Sequence, residues 1–244
     1  MRASDHVMSS ARAPRVLVII PAYNEEANIA AVARHVRDAG YDYLVVNDGS
    51  VDRTEGVCQE HHLNYVSLPV NMGIGGAVQT GHLYAYENGY DVDIQVDGDG
   101  QHDISYAPRL IEQIENGADL VIGSRFVSQS EGFQSTVLRR AGIKWLEKCI
   151  RHVTGLTITD STSGFRASGK AAIALFAQSY PADYPEPESI VSAYRHGLDV
   201  VEVPVSMHER QGGKSSINAM KSIYYMIKVS LAIFIVGKSE RKGR

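Results

Sequence analysis

Residues 94–102 read Ile-Gln-Val-Asp-Gly-Asp-Gly-Gln-His and concentrate the residue types that bind hard metal ions. Asp97, Asp99 and Gln101 alternate along this segment, so an extended backbone would place their oxygen atoms on one side. Such ligands suit Mg²⁺ or Mn²⁺ carrying a substrate diphosphate. The alternative is an acidic turn, because Asp and Gly are common in turns. For His102 we favour a supporting or solvated role over direct ligation.

A buried strand has to deliver these carboxylates. Apolar and β-branched residues run up to Asp97 and stop at glycines, which predicts a strand with Asp97 and Asp99 in the loop at its carboxyl end. Open α/β sheets bind their ligands at this end. Residues 16–20 and 43–46 have the continuous apolar character of two further buried strands, and a helical pattern follows the first of them.

The second of these strands is followed by Asn-Asp-Gly-Ser, which contains Asp48. Asp48 either forms a turn or cap, or accepts hydrogen bonds from a base or ribose. A third strand at residues 65–68 leads to a glycine-rich helix start at residues 71–77. Glycines such as Gly76 let a backbone approach a phosphate closely. Val78 occupies the place of the third glycine of a dinucleotide fingerprint, and no Gly-Lys-Ser/Thr follows, so neither motif is complete.

Strands alternate with helices through this half, which predicts an α/β fold with a mostly parallel, doubly wound sheet. With 244 residues and 44% hydrophobic content, the chain fits one large domain. A net charge of -4 gives no case for nucleic acid as a partner. Two distant cysteines, Cys58 and Cys149, favour a reducing cytosol. Residues 1–14 have no apolar signal segment, so we interpret them as a disordered leader.

The second half is more basic and polar. A helix carrying Arg139, Lys144 and Lys148 is either a solvated amphipathic helix, which we favour, or an anion-binding one. Residues 157–166 predict a polar loop, and residues 208–216 a cationic, glycine-bearing loop able to close over phosphates.

Residues 217–236 predict an apolar helix with one narrow polar stripe that includes Lys221 and Lys228. Its uninterrupted apolar stretch is too short to span a bilayer. A basic tail follows, and the two together suit an anionic membrane surface. The alternatives are a core helix, a membrane subunit's docking site or a homo-oligomer interface. Residues 217–244 are therefore predicted to be an amphipathic, membrane- or partner-associating helix and tail.

Six motifs follow one another along residues 15–216: 21–26 (Pro-Ala-Tyr-Asn-Glu-Glu), 47–54 (Asn-Asp-Gly-Ser-x-Asp-x-Thr), 71–77 (Asn-x-Gly-x-Gly-x-Ala), 97–102 (Asp-Gly-Asp-Gly-Gln-His), 123–125 (Gly-Ser-Arg) and 163–166 (Ser-Gly-Phe-Arg). Together they resemble family 2 inverting glycosyltransferases of the GT-A fold, specifically the dolichyl- and polyprenyl-phosphate sugar synthases. The ordered set is far more specific than any one motif.

The resemblance implies a GT-A (Rossmann-like) single domain over residues 15–216, a nucleotide-sugar donor and a Mg²⁺ or Mn²⁺ cofactor. It implies nucleotide contacts from Pro21, Ala22, Tyr23, Glu25, Asp48, Gly76 and Asp97, metal ligation by Asp97, Asp99 and Gln101, and phosphate or acceptor contacts from Arg125, Arg139, Ser163, Arg166, Arg210 and Ser215. Asp99, Arg125 and Arg210 are the implied catalytic residues.

The acceptor decides whether a base is needed. A phosphate acceptor is ionised at neutral pH, whereas a hydroxyl of a glycan or protein needs a base, for which Glu186, Glu188 and Asp160 are the candidates. Relatives that use lipid phosphate usually carry a Ser after an arginine pair, where this chain has Gly-Ile-Lys at residues 142–144.

We expect transfer to a polyprenyl phosphate by a cytoplasmic enzyme peripheral to the inner face of the cell membrane. The hydroxyl acceptor is the alternative. A catalytically silent nucleotide-sugar-binding subunit is the other possibility, against which intact Asp99 and Gln101 argue.

Overall fold

The computed structural model describes residues 12–126, 137–207 and 219–238, without the side chains of 137–140 and 219–225. Its strands are β1 (Val16–Ala22), β2 (Asp42–Asn47), β3 (Tyr65–Ser67), β4 (Val92–Gln95), β5 (Leu120–Ser124), β6 (Arg166–Gly169) and β7 (Val200–Pro204). Its helices are α1 (Ile29–Asp38), α2 (Thr54–Glu60), α3 (Gly73–Glu87), α4 (Ala107–Glu115), α5 (Val137–Thr154), α6 (Lys170–Gln178), α7 (Pro185–Arg195) and α8 (Ala219–Lys238). The predicted leader lies mostly outside the described residues, and residues 12–14 have no helix or strand.

The strands of the described residues form one sheet in the order β3-β2-β1-β4-β6-β5-β7. β6 runs antiparallel to both of its neighbours, and every other pairing is parallel. The prediction of a mostly parallel sheet is therefore confirmed. The prediction of a polar loop over residues 157–166 is wrong at its end, because Arg166 begins β6 and pairs with Gln95 of β4.

Helices cover both faces of the sheet because the side chains of buried strands alternate between the faces. Val18 and Ile20 of β1 pack with Ile29 and Val36 of α1, in a cluster to which α4 also contributes. Ile19, pointing the other way, packs with α3 and α6. Gly81 allows α3 to lie close to β1, since a Cβ at this position would be 2.3 Å from Ile19 Cγ2.

A second helical layer lies over the β5 and β7 half of the sheet. Leu146 of α5, Ile190 of α7 and Val229 of α8 share one buried cluster with Ile122 of β5. The helix predicted over residues 217–236 is observed as α8. Among the described residues, no helix combines the length and apolarity needed to cross a membrane.

The order of the strands creates the site. β1 pairs with β2 on one side and β4 on the other, so the chain reverses its winding direction between β1 and β4. Connections that leave the carboxyl ends of two such strands diverge and leave a crevice between them. The segments that follow β1, β2 and β4 carry the motifs at residues 21–26, 47–54 and 97–102.

Candidate active site

A cleft of about 440 Å³ opens at this crevice. It is lined by Pro21, Ala22, Tyr23, Glu25, Asp48, Asn71, Gly73, Ile74, Ala77, Asp97, Gly98 and Asp99. The structure thus brings together every residue predicted to contact the nucleotide except Gly76. The helix that contains Gly76, α3, contributes Gly73, Ile74 and Ala77 to the lining instead. A Cβ at position 76 would lie 2.6 Å from the Cβ of Met72.

Asp48 is both a structural residue and part of the cleft wall. It is 3% exposed, its N–H donates to the Ala22 carbonyl over 2.9 Å, and its Oδ1 accepts from the Met72 N–H over 2.7 Å. Gly49 follows with φ +63°, and a Cβ there would lie 2.7 Å from the Asn71 nitrogen. The two readings of Asp48 are therefore compatible, because the carboxylate holds the start of α3 beside the cleft that it lines.

The motifs at residues 21–26 and 47–54 form one hydrogen-bonded unit. Asn24, in the left-handed region at φ 57°, accepts through Oδ1 from the Val51 N–H over 2.9 Å. The Asn24 N–H donates to Ser50 Oγ over 3.0 Å, and the Glu25 N–H to Thr54 Oγ1 over 2.8 Å. Tyr23, next to this unit, is 47% exposed and lines the cleft. Its ring is accessible for a planar ligand to stack against.

The loop after β4 presents Asp97 and Asp99 to the cleft. The Gln101 N–H donates to Asp99 Oδ1 over 3.1 Å, and the Asp97 N–H donates to His102 Nδ1 over 3.0 Å. In the part of the chain that the structure describes, no three His, Cys, Asp or Glu residues form a complete metal site. A catalytic Mg²⁺ commonly uses one or two carboxylates and completes its shell with water and substrate phosphate. The two aspartates fit such a partial site.

Arg125 and Asp160 form a buried ion pair. Arg125 Nε donates to Asp160 Oδ2 and Arg125 Nη2 to Asp160 Oδ1, each over 2.7 Å. The Arg125 side chain is 9% exposed and that of Asp160 is 0% exposed. This geometry does not support Asp160 as a base, because both of its oxygens accept from a guanidinium and neither meets solvent. It also occupies two nitrogens of Arg125, the predicted phosphate ligand.

Glu202 of β7 accepts hydrogen bonds from the same loop. Its Oε1 accepts from the Asp160 N–H over 2.8 Å, and its Oε2 accepts from the N–H and hydroxyl of Thr159 over 2.8 and 3.0 Å. Burial raises the pKa of Glu202 despite these hydrogen bonds. The network fixes the Asp160 backbone and carboxylate together, which indicates a structural role for this loop.

The buried positions of Arg166 and Ser163 do not support the predicted contacts of these residues with phosphate. Arg166 is 4% exposed and donates to the carbonyls of Ser163, Ser161 and Glu186 and to Ser189 Oγ. Ser163 is 1% exposed, and its hydroxyl accepts from the Phe165 N–H. Arg166 therefore joins β6 to the start of α7, and both residues act inside the protein.

The candidate base Glu186 lies in the first turn of α7. Burial raises its pKa, the Arg166 guanidinium opposes this shift, and the Asp97 carboxylate adds to it. Glu186 is not among the residues that line the cleft. The pKa of Glu188 is also raised, by burial and by Asp183.

The side chains of three predicted phosphate ligands are not described. Arg139 lies on α5, but its side chain is not described, and Arg210 and Ser215 lie in the undescribed segment 208–218. Their roles stay predictions.

A polar row on β4 was not predicted from the sequence. Asp93 and Gln95 are 1% and 4% exposed and share a face with Asp97. Asp93 Oδ2 pairs with His82 Nδ1 at 2.6 Å, and Gln95 Nε2 donates to Asp97 Oδ1 over 3.2 Å. The signal was present, because Asp93 and Gln95 alternate with apolar residues in a strand that should be apolar on both faces.

The chain has clear relatives. The family model of Glycosyl transferase family 2 matches residues 17–174. An undecaprenyl-phosphate mannosyltransferase of Micrococcus luteus is 34% identical over 215 residues, covering 84% of this chain and 88% of that protein. A polyprenol monophosphomannose synthase of Mycolicibacterium smegmatis is 31% identical over 227 residues, covering 88% and 86%.

The structure has clear neighbours as well. One is the crystal structure of glucosyl-3-phosphoglycerate synthase from Mycobacterium tuberculosis, in complex with Mn²⁺, uridine diphosphate and glucosyl-3-phosphoglycerate. It matches with a TM-score of 0.67 at 21% sequence identity, over 93% of this chain and 81% of that one.

Proposed function

The chain belongs to glycosyl transferase family 2 and has the GT-A fold, and from this premise we propose that it transfers a hexose from a nucleoside-diphosphate donor to a polyprenyl phosphate. The reaction is inverting and metal-dependent. The observation that carries the proposal is the cleft itself, because one crevice gathers Tyr23, Asp48, Asp97 and Asp99 from the segments after three strands.

Each wall of the cleft suits one part of the donor. The half-exposed Tyr23 ring offers a stacking surface for the base, and the buried Asp48 carboxylate offers an acceptor for a base or ribose. Asp97 and Asp99 lie beside the start of α3, where backbone N–H groups favour an anion. The diphosphate is therefore proposed to lie between α3 and the loop after β4.

Inversion requires one in-line displacement at the anomeric carbon. Bound Mg²⁺ or Mn²⁺ would neutralise the departing diphosphate. Asp97 and Asp99, with Gln101, would hold the ion, and the Gln101 N–H bond to Asp99 shapes the loop. A phosphate acceptor is already ionised when it binds, so the enzyme has to orient it but does not have to remove a proton from it. Arg210 and Ser215 are proposed to contact that phosphate.

The names of the relatives support the lipid acceptor. The proteins from Micrococcus luteus and Mycolicibacterium smegmatis are named for undecaprenyl phosphate and polyprenol phosphate, and both match most of this chain. A polyprenyl chain resides in a bilayer, so its phosphate is reached at a membrane surface. We therefore propose that the enzyme works at the cytoplasmic face of the membrane.

An apolar surface formed by α5 and α8 supports this location. Trp145, Ile227, Leu231 and Ile235 are each more than half exposed, and Trp145 Nε1 donates to Ser230 Oγ between the two helices. The exposed cations Lys144, Lys148 and Lys238 occur on the same helices. Apolar side chains beside cations are typical of helices that lie in an anionic lipid interface.

We expect the double substitution Ile227→Ser and Leu231→Ser to weaken binding to phosphatidylglycerol vesicles by at least about tenfold, because two aliphatic side chains no longer enter the lipid. Vesicle flotation measures the partition. The matched control is Val51→Ser with Leu83→Ser, which removes two exposed aliphatic residues elsewhere. Unchanged flotation would contradict the lipid partner, and a smaller species in sedimentation of the same variant would then indicate a homo-oligomer interface.

The second candidate acceptor is a hydroxyl of a glycan or protein, and Glu186 is the residue that favours it. A carboxyl at the start of α7 whose pKa is raised by burial is suited to act as a general base. A base works only when deprotonated, so turnover would then rise with pH through the raised pKa of Glu186. Transfer to a phosphate would not require Glu186 to be ionised.

The acceptor experiment supplies labelled nucleotide sugars with membranes. We expect label in an organic-extractable, mild-acid-labile lipid, and we expect Glu186→Gln to change the rate of lipid labelling by less than tenfold, because no proton leaves the acceptor. Glu115→Gln, at an exposed site on α4, is the matched control. Label only in a water-soluble glycan or protein, lost in Glu186→Gln or Glu188→Gln, would establish the hydroxyl acceptor instead.

A further inference from the structure

The Asp97 carboxylate lies between a hydrogen-bond donor and a histidine ring. Gln95 Nε2 donates to Asp97 Oδ1 over 3.2 Å. On the other side, His102 Nε2 lies 3.7 Å from Asp97 Oδ2. The side chain of Asp97 is 38% exposed, so it still faces the cleft, whereas that of His102 is 4% exposed. The two flanking groups approach the carboxylate from within the protein.

The hydrogen bonding of His102 defines its tautomer. Its Nδ1 accepts from the Asp97 N–H over 3.0 Å, so this nitrogen carries a lone pair and the ring proton is on Nε2. The Nε2–H is the group that faces the Asp97 carboxylate. The ring also stacks on Phe165, with centroids 5.3 Å apart and an interplanar angle of 28°. His102 thus lies against both the backbone and the side chain of Asp97.

Gly164 closes the third side of this arrangement. A Cβ at Gly164 would lie 3.0 Å from both carboxylate oxygens of Asp97 and 3.1 Å from Gln95 Nε2. Only a residue without a side chain lets the segment before β6 approach so closely. The motif at residues 163–166 therefore contributes its glycine to the surroundings of Asp97, while its arginine acts in the interior.

We propose that Gln95 and His102 form a clamp that holds the Asp97 carboxylate in one orientation at the cleft. They are positioning residues, because they act through Asp97. His102 also pairs with Met207 in an antiparallel bridge, which ties the loop after β4 to the chain beyond β7. The clamp rests on the proposed function, since it aligns Asp97 for the donor and the metal ion.

The expected consequence is preorganisation. A carboxylate fixed before the ligand arrives loses less conformational freedom on binding, so removing its support weakens binding even though Asp97 remains. Groups that orient a metal-binding carboxylate typically change metal affinity or activity by about 10- to 100-fold when replaced. The effect should appear first in affinity for Mn²⁺ with nucleoside diphosphate.

Two substitutions at His102 separate its contacts. His102→Asn can place an amide oxygen where Nδ1 accepts from the Asp97 N–H, but it lacks a donor at Nε2. His102→Phe keeps a ring against Phe165 and loses both ring nitrogens. We expect Mn²⁺ affinity in the presence of UDP or GDP, measured by calorimetry, to fall by about 10- to 100-fold in His102→Phe and by less in His102→Asn.

Further variants provide the controls. Gln95→Met keeps length and shape but removes the donor to Asp97, and we expect it to weaken Mn²⁺ binding as well. His35→Phe, at an exposed position on α1, is the matched control and should leave the affinity unchanged. Thermal unfolding of every variant identifies those that fail to fold. Equal Mn²⁺ affinity in wild type, folded His102→Phe and folded Gln95→Met would overturn the clamp.

A readout that needs no activity separates this inference from the proposed function. Long-range ¹H–¹⁵N correlation spectra show which ring nitrogen of a histidine carries the proton, and the His102→Asn spectrum identifies the His102 signals. We expect the Nε2–H tautomer. An Nδ1–H tautomer would overturn the clamp in an active enzyme, whereas the Nε2–H tautomer in a chain that binds no nucleoside diphosphate would refute the proposed function and leave the clamp in place.

Discussion

Replacing Asp99 by alanine should reduce sugar transfer by at least about a hundredfold while the fold is retained, because a group that stabilises developing charge in a transition state is worth about that much. Asp99 lines the cleft, and its Oδ1 accepts from the Gln101 N–H within the same loop. Without this carboxylate, the metal ion that neutralises the departing diphosphate loses a ligand. Initial rates measured across a Mn²⁺ titration test this expectation.

The neighbouring aspartate Asp103 provides the matched control. Its Oδ1 accepts from the Ser105 N–H at the start of a single 3₁₀ turn, outside the cleft lining. Asp103→Ala should therefore retain transfer, and both variants should unfold at similar temperatures. Undiminished turnover of Asp99→Ala in the presence of a chelator would contradict a metal-dependent reaction.

Elements built from local apolar pattern could be predicted from the sequence. β1 and residues 44–46 of β2 are apolar and buried, and α1 carries its apolar residues at helical spacing. The cleft followed from the same pattern, because the carboxyl ends of parallel strands gather whatever polar residues come next. Asp48 and Asp97 were found in this way, without knowledge of any tertiary contact.

Elements stabilised by distant partners were missed. β6 reads Arg-Ala-Ser-Gly, which has no strand signal, and its arginine is buried only because carbonyl groups from residues 161, 163 and 186 surround it. α7 was missed for a different reason. Its start, Pro185 followed by Glu186, Pro187 and Glu188, has the proline and acidic first turn of a helix N-terminus. In the sequence, these carboxylates were interpreted only as candidate bases.

The role of Asp160 shows most clearly which contacts could not be predicted from the sequence. In the sequence it is an acidic residue among hydroxyls, which suits a base, and its partner Arg125 is 35 residues away. No local sequence pattern predicts that Arg125 and Asp160 will form an ion pair. Burial of both side chains changes the prediction, because a carboxylate paired in the interior contributes to the fold and is not available to abstract a proton.

Replacing Asp160 by alanine should lower the free energy of unfolding by about 3–5 kcal/mol, the usual cost of leaving one member of a buried ion pair alone. Arg125, which is 9% exposed, would keep its charge in the interior without the bidentate partner. Thr162 Oγ1, at 3.3 Å from Arg125 Nη2, offers one neutral contact and cannot replace a carboxylate. Urea unfolding followed by circular dichroism measures the change.

The double variant Arg125→Met with Asp160→Leu tests the reason for that loss. Removing both charges should recover most of the stability, because apolar residues of similar volume often replace a buried ion pair without net cost. Asp183→Ala is the matched control, since Asp183 is 74% exposed and 3.9 Å from Lys228, and it should cost less than about 1 kcal/mol. If Asp160→Ala unfolds like the wild type but loses transfer to a hydroxyl acceptor, Asp160 is a base after all and the ion pair does not stabilise the fold.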